Sequence, residues 1–464
     1  MRPLESVQLV VVAGAVLLPA VMGRRLRRGR TAAFLLGSMV LQLVVEGFRW
    51  QLIPLDSATL GLAVGDVVAD ERRLDLGHRI RRGVLGGVGV ASLAVLPVLL
   101  PVPELPPPGG PYPVGTVSLL LVDDRPDPFV QVEEGVEPPP RRIPVQVWYP
   151  AETVDGQPEP WADVEFLGPA LAERIGVPSF FLGHLSGVPS HSYRDAVPMS
   201  GRFPVLLYVH GWGGFRTIAL DQIETLASNG YVVVAADHVP AAAAARFPDG
   251  TVSELDPGLL PDPGEVGEDA YREAAERLVE GFADDLTTIV DHLAEGPSGP
   301  FGSTAAQVDL EALGVWGHST GGGAAVWFCL VDRRCDAVAG LDPWIEPIPG
   351  RVLAEELRVP SLFIRSDDWS DTRNDRLLRG LAERSPSVSW WIGISGAAHS
   401  DLVATPLLTP HGNLLGLKGP VPSDKVVRLL HGYLVSFFDQ QLYGEGGAVL
   451  GFPPPPGVAK EMLP

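Results

Sequence analysis

Residues 313–330 read LGVWGHSTGGGAAVWFCL, and the change of pattern inside this stretch decides the fold. Leu313 to Trp316 is an apolar run of strand length, and Gly321 to Leu330 continues without a charge at helical length. Between them Gly317-His318-Ser319-Thr320-Gly321 fits G-x-S-x-G. A serine framed by glycines where a strand becomes a helix makes a strained turn that leaves its hydroxyl exposed above a sheet. The pentapeptide alone is common; its placement gives it weight.

The same alternation spreads outward from this point. Upstream, RIPVQVWYP around Ile143 alternates as a strand does, and Pro204 to Val209 is an apolar run ending in His210-Gly211-Trp212-Gly213-Gly214. A helical stretch, Ile218 to Ser228, precedes a fully apolar strand, Tyr231 to Ala236, and Ala270 to Leu293 is helical again. Downstream, strands are expected at Ala337 to Leu341, Ser361 to Ile364 and Val388 to Ile394, with a last helix from Asp424 to Phe438. Strand and helix alternating at this spacing predict an α/β fold, a mostly parallel, doubly wound sheet around a single core.

Composition bounds the rest. With 464 residues, 46% apolar and 20% charged, the chain lies outside the disordered and collagen-like classes. The first 102 residues hold 12 Arg against 7 acidic residues, a net +5, so the net charge of −21 leaves −26 on the remainder. A body so acidic repels polyphosphates, which excludes nucleic acid as a partner. Cys329 and Cys335 are the only cysteines. They exclude a disulfide scaffold and a four-cysteine zinc site, and leave either two free thiols or one short-range bridge. No cofactor or metal is expected.

Ahead of the α/β body lie three apolar runs, Val7 to Met22, Thr31 to Val45 and Val84 to Val102. Each approaches the ~20 residues that span a hydrocarbon core. Arg24, Arg25, Arg27, Arg28 and Arg30 follow the first run, the wrong order for a secretion signal. Arg72, Arg73, Arg79, Arg81 and Arg82 precede the last. If both clusters stay inside, an even number of crossings separates them, and Trp50 to Val68, which carries Asp56 and Asp66, supplies the second crossing or a re-entrant segment. The expected organisation is therefore a membrane-spanning helical region over 1–102, contacting the lipid bilayer, and a Pro-rich spacer over 103–113. A catalytic domain over 114–443, facing outward from a multi-pass plasma-membrane anchor, and a loosely held tail over 444–464 complete it.

An exposed Ser319 needs a base. His318 lies in the elbow and is expected to point away, His431 belongs to an amphipathic helix, and His210, His238 and His292 precede the serine. His399, in the loop after WWIGIS, is the expected base, with His411 as an ordinary loop residue. For the acid that orients the imidazole, Asp342 ends AVAGLD, while Asp367 and Asp368 end SLFIRSDD. Periodicity leaves both open. Oxyanion donors are expected from the backbone amides of Thr320, after the serine, and Trp212, in the glycine-rich loop.

Three segments, PVLLYVHGWGGFRTIALDQIETLASNGYVVVAADH, GVWGHSTGGG, and the block from AVAGLDPWIEPIP to GAAHSD, resemble the platelet-activating-factor acetylhydrolase family in its plasma and type II intracellular form, within the α/β-hydrolase superfamily. The resemblance runs from about Gly110 to Leu402. It implies that the acid is the aspartate of the LDxW segment, Asp342, with Asp367 in reserve. It also implies calcium-independent hydrolysis of short or oxidised acyl chains from phospholipid-like esters. The chain departs from the family at Thr320, where a bulky aromatic is common, and in its membrane-spanning front. GHSxGGG with VPSLFIRSDD and GAAHSD also resembles polyester or cutin-type hydrolases, in which the acid would be Asp367; a general carboxylesterase is a further alternative. The non-enzymatic alternative is a membrane-anchored protein on a retired hydrolase scaffold.

Overall fold

A computed structural model describes residues 1–22, 29–68, 76–130, 136–408, 411–445 and 448–463. The chain divides into two compact units, Met1–Pro103 with Gly176–Val188, and Glu104–Ile175 with Pro189–Pro464.

The larger unit is built on one sheet. Its strands are β1 (Val114–Pro126), β2 (Pro140–Thr153), β3 (Ser192–Arg194), β4 (Phe203–Val209), β5 (Val232–Ala236), β6 (Val308–His318), β7 (Ala337–Leu341), β8 (Ser361–Arg365), β9 (Ser389–Ile394) and β10 (Val458–Leu463). They lie in the order β10-β9-β8-β7-β6-β4-β5-β2-β1-β3, with the short strand Val197–Pro198 beside β2. The six strands from β9 to β5 in this order are mutually parallel. β2 joins β5 antiparallel, and β10 closes the other edge antiparallel to β9.

Both faces of the central strands are covered, which is why they read as unbroken apolar runs. Val205, Leu207 and Val209 of β4 share a core with Leu278, Val279 and Phe282 of the helix Glu268–Ala294 and with Ala324 and Phe328 of the helix Thr320–Val331. On the other face the Tyr208 ring meets Trp316 at 5.1 Å. Trp316 in turn meets Phe438 of the helix Ser423–Phe438 at 6.3 Å and donates to Gln222 of the helix Leu220–Ser228.

Two boundary expectations are corrected. The segment after Gly444 is not a loose tail: β10 pairs residue by residue with β9 from Ser389↔Leu463 to Ile394↔Val458. Glu461 there holds Arg379 at 2.8 Å. The Pro-rich segment 103–113 is not a free spacer beyond Pro103, since Gly110 and Tyr112 donate backbone hydrogen bonds to Ser228 and the Leu105 carbonyl accepts from His191. Cys329 and Cys335 form a disulfide at the end of the helix that follows Ser319.

The smaller unit holds four helices, α1 (Pro3–Met22), α2 (Arg30–Glu46), α3 (Ile53–Val68) and α4 (Leu76–Leu99). The Glu46 carboxylate accepts from the Leu4 and Glu5 amides, and Asp66 accepts from Gly29 and Ala32. These bonds make α1 antiparallel to α2 and α2 antiparallel to α3. Arg49 joins Glu5 at 2.7 Å and the Leu100 carbonyl at 3.0 Å, bringing the end of α4 to the start of α1. Trp50 to Val68 is a short turn followed by a 16-residue helix, with Asp56 turned to Gln8 at 2.8 Å. Among the described residues one helix, Pro3–Met22, is long and apolar enough to cross a membrane by length and composition, a test that a signal sequence near the N-terminus also passes. The expected spans at Thr31 and Val84 form helices, but neither meets that measure. Arg24, Arg25, Arg27, Arg28, Arg72 and Arg73 lie outside the described residues.

Candidate active site

Ser319 stands between β6 and the helix Thr320–Val331 with φ 56° and ψ −122°. A side chain held in the left-handed region costs free energy, and such strain persists where surrounding contacts over-determine it. Here the Ser319 amide donates to Leu341 O at 3.0 Å and its carbonyl accepts from Trp344 N at 2.9 Å. The two residues that pin the serine backbone thus flank Asp342, so the ends of β6 and β7 are locked together. The turn also needs close packing: a Cβ on Gly321 would lie 2.2 Å from the Val209 carbonyl oxygen.

Asp342 ends β7 at φ 44°, fully buried. Its Oδ2 accepts from His399 Nδ1 at 3.0 Å and from the Ser366 hydroxyl, while Oδ1 accepts from the Ser366 amide at 2.9 Å and Arg365 Nε at 3.3 Å. Burial alone would raise this carboxyl; the bond and charge of His399, then the two Ser366 donors, hold it below the usual carboxylate range. Asp367 and Asp368 do something else. Asp367 accepts from the Gly396 amide and Asp368 from the His399 amide, both at 2.7 Å, so they clamp the backbone of the histidine loop. The imidazole's carboxylate partner is Asp342, and Asp367, the reserve acid, meets the backbone of the histidine loop instead.

His318 is also corrected, for it does not point away. It lines the same cavity as Ser319 and His399, its ring lies 4.3 Å from that of His399, and its Nε2–H donates to the His399 carbonyl at 3.0 Å. Burial, then the neighbouring His399, pushes it down to about 3, so it stays neutral. Trp369 stacks on the His399 ring at 4.7 Å. His411 is exposed on a loop, and His431 bonds Asp221 within the helical packing.

The loop His210-Gly211-Trp212-Gly213 comes up against the serine: a Cβ on Gly211 would stand 3.1 Å from Ser319 Cβ. The Gly211 carbonyl accepts from the Gly214 amide and from His210 Nδ1–H, both at 2.8 Å. Gly211 C=O and Trp212 N–H belong to one trans peptide, so fixing the oxygen fixes the opposite direction for the N–H. The His238 amide donates to His210 Nε2 at 3.1 Å, which sets the tautomer. Burial and then His238 take His210 down to about 3, keeping it neutral. Beneath it, Asp285 accepts from His238 Nδ1 at 2.8 Å and from Nε and Nη2 of the buried Arg141. Thr320 opens its helix, where the first amides lack intrahelical acceptors.

All five expected residues, Ser319, His399, Asp342, Trp212 and Thr320, meet at the C-terminal ends of the parallel strands. Four of them line a cavity of about 490 Å³ with Tyr271, Trp344, Trp369, Leu260 and Arg174, and Asp342 lies buried behind His399. Among the described residues no group of His, Cys, Asp and Glu is arranged to hold a metal. Ser366, Trp369 and the His210 network were not singled out in the sequence, and Asp368 was weighed there as an acid and not as a clamp on the His399 backbone. Of the former, only Ser366 was signalled, by its position beside Asp367 at the end of a strand.

The family described as platelet-activating factor acetylhydrolase, isoform II, matches residues 104–255 and 301–445. The chain belongs to this family. Membership places it among carboxylic ester hydrolases of the α/β-hydrolase fold. It is 22% identical to the platelet-activating factor acetylhydrolase of Cavia porcellus over 358 residues, covering 73% of this chain and 78% of that protein. A putative phospholipase A2 of Schizosaccharomyces pombe is 31% identical over 144 residues, covering 29% of this chain and 32% of the relative. The solved ferulic acid esterase of Streptomyces cinnamoneus superposes with a TM-score of 0.62 at 25% identity, over 77% of this chain and 99% of the esterase.

Proposed function

We propose that this acetylhydrolase-family chain is a serine esterase that removes short or oxidised acyl groups from phospholipid-like esters, using Ser319, His399 and Asp342. The observation that carries the proposal is the 3.0 Å bond from His399 Nδ1 to a buried, ionised Asp342, at a cavity that Ser319 shares. Asp342 keeps the proton on Nδ1, so Nε2 is free to take the Ser319 proton as the hydroxyl oxygen attacks the ester carbonyl. The amides of Trp212 and Thr320 receive the charge that develops on the carbonyl oxygen. His399 then protonates the leaving alcohol, and water activated by the same imidazole releases the acid from Ser319. No step calls on calcium.

A general carboxylesterase is the second reading, favoured by the similarity to the ferulic acid esterase. Hydrolysis of matched short-chain and long-chain phosphatidylcholines and p-nitrophenyl esters separates the two. Preference for the short-acyl phospholipid, abolished in Ser319→Ala, supports the acetylhydrolase-like substrate; cleavage of simple esters alone removes it.

We further propose that residues 1–102 anchor the chain in the bilayer as a multi-pass helical region, with the hydrolase unit on the extracytoplasmic side of the plasma membrane. In support, Val10, Phe34, Val44, Val64 and Val88 face outward while Glu5, Gln8, Arg49 and Thr59 are buried, the reverse of a water-soluble bundle. The hydrogen bonds among the four helices bring the start of α1 to the end of α2 and the start of α2 to the end of α3, the antiparallel order that repeated crossings need. The Cys329–Cys335 disulfide suits an oxidising compartment.

A further inference from the structure

Among the described residues, Arg174 is the one permanently charged side chain on the cavity that Ser319 and His399 line. Beyond the catalytic groups the wall is mostly aromatic and aliphatic, with Trp212, Tyr271, Trp344, Trp369, Leu260 and Val403, and the uncharged polar His318, Thr320 and Ser400. Arg174 sits in the last turn of the helix Val164–Arg174, where the carbonyl ends favour a cation. Its Nη2 donates to the Trp212 carbonyl at 3.1 Å, and its Nη1 fills the space a side chain at Gly213 would occupy. Among the described residues no carboxylate pairs with it, although carboxylates far outnumber cations in this part of the chain. One donated bond leaves most of the guanidinium's five N–H groups free for a ligand. Partial burial without a counter-ion lowers its affinity for the proton, a cost that an anion in the cavity would offset.

We infer that Arg174 is a substrate-recognition residue that binds a negatively charged oxygen group carried by the ester, either a phosphate diester on its alcohol side or a carboxylate at the far end of its acyl chain. This rests on Ser319 being the nucleophile of the same cavity. A body with a net charge of −26 repels anionic substrates as a whole. A guanidinium beside the oxyanion loop supplies the local attraction, and its planar fork suits either oxygen group.

The test compares the full chain in detergent with Arg174→Gln and Arg174→Lys on three esters. These are a 2-acetyl phosphocholine lipid, its uncharged diglyceride counterpart, and a p-nitrophenyl ester pair differing only by a terminal acyl carboxylate. A charge-assisted hydrogen bond corresponds to a change of about 10- to 100-fold. Arg174→Gln should lower the anionic-to-neutral ratio of kcat/KM by that factor through KM, for the phospholipid pair or for the carboxylate pair, whichever anion the site takes, and Arg174→Lys should restore part of it. Inorganic phosphate should compete with neutral ester in the wild type more strongly than in Arg174→Gln. Equal losses on neutral and anionic esters would show that Arg174 only props the Trp212 carbonyl, and an unchanged ratio would remove the subsite. Labelling of Ser319 by an active-serine phosphonate in Arg174→Gln separates the two claims. Retained labelling with an unchanged ratio overturns only the subsite, whereas absence of labelling in the wild type overturns the nucleophile as well.

Discussion

His399 donates from Nδ1 to Asp342 at 3.0 Å, and the same carboxylate is held from its other side by Ser366 through both amide and hydroxyl. The acid is therefore fixed before the imidazole meets it, and the imidazole can occupy only one tautomer. Asp342→Asn should leave the fold intact and lower kcat on the order of 10⁴-fold, since an amide partner stabilises the wrong tautomer and not the cation. Asp367→Asn, which disturbs only the bond to the Gly396 amide, should cost far less. Steady-state kinetics of both variants on one ester decide the matter, and a larger loss at Asp367 would move the acid there.

The neutral His210 fixes the Gly211 carbonyl and through it the direction of the Trp212 amide. His210→Ala should lower kcat on the order of 100-fold with little change in KM, the signature of a donor that acts on the developing oxyanion. His210→Asn, whose side-chain amide can donate in place of Nδ1, should recover part of the rate. A rise in KM at constant kcat would point instead to a binding role.

Much of this site was legible before any coordinates because its backbone chemistry is local. The elbow around Ser319, the glycine loop at Gly211 and the His399 loop each sit at a strand end that apolar run length marks. What was hidden is long-range. Whether Asp342 or Asp367 faces His399 depends on which of two neighbouring parallel strand ends, β7 or β8, presents its carboxylate to the ring, which no periodicity resolves. The orientation of His318 is set by the carbonyl of a residue 81 positions away. Strand β10 carries no strand signal because a proline run precedes it and its sequence VAKEML lacks the alternation of apolar and polar residues that marks a half-buried strand. The helix Arg373–Arg384 was missed because its charged face dominates the composition, although Thr372 caps it by accepting from the Asp375 amide.

Glu224 offers a pH test of stability. It is fully buried and accepts from the His191 amide and the Ser192 hydroxyl through one oxygen. Burial, opposed by these bonds, raises it to about 7 from 4.5. The folded state thus binds more protons than the unfolded state between these values, so stability is greatest below the lower value and is lost as pH rises through the window. Tm of the wild type should fall from pH 5 to pH 8 relative to Glu224→Gln, whose side chain does not titrate. Parallel Tm curves for the two proteins would show that Glu224 does not carry the effect.

The bilayer assignment makes a separate prediction. The full chain should resist carbonate extraction from membranes, and an impermeant thiol reagent applied to intact cells after mild reduction should reach Cys329 or Cys335. Release by carbonate, or protection of both cysteines until the cells are opened, would contradict it.

Active-serine phosphonate labelling followed by peptide mapping reads out whether Ser319 is the nucleophile. One label per chain is expected, on the peptide containing Gly317 to Gly321, with labelling and ester hydrolysis both lost in Ser319→Ala. Intact protein that takes no label, or Ser319→Ala that keeps both label and activity, would contradict it.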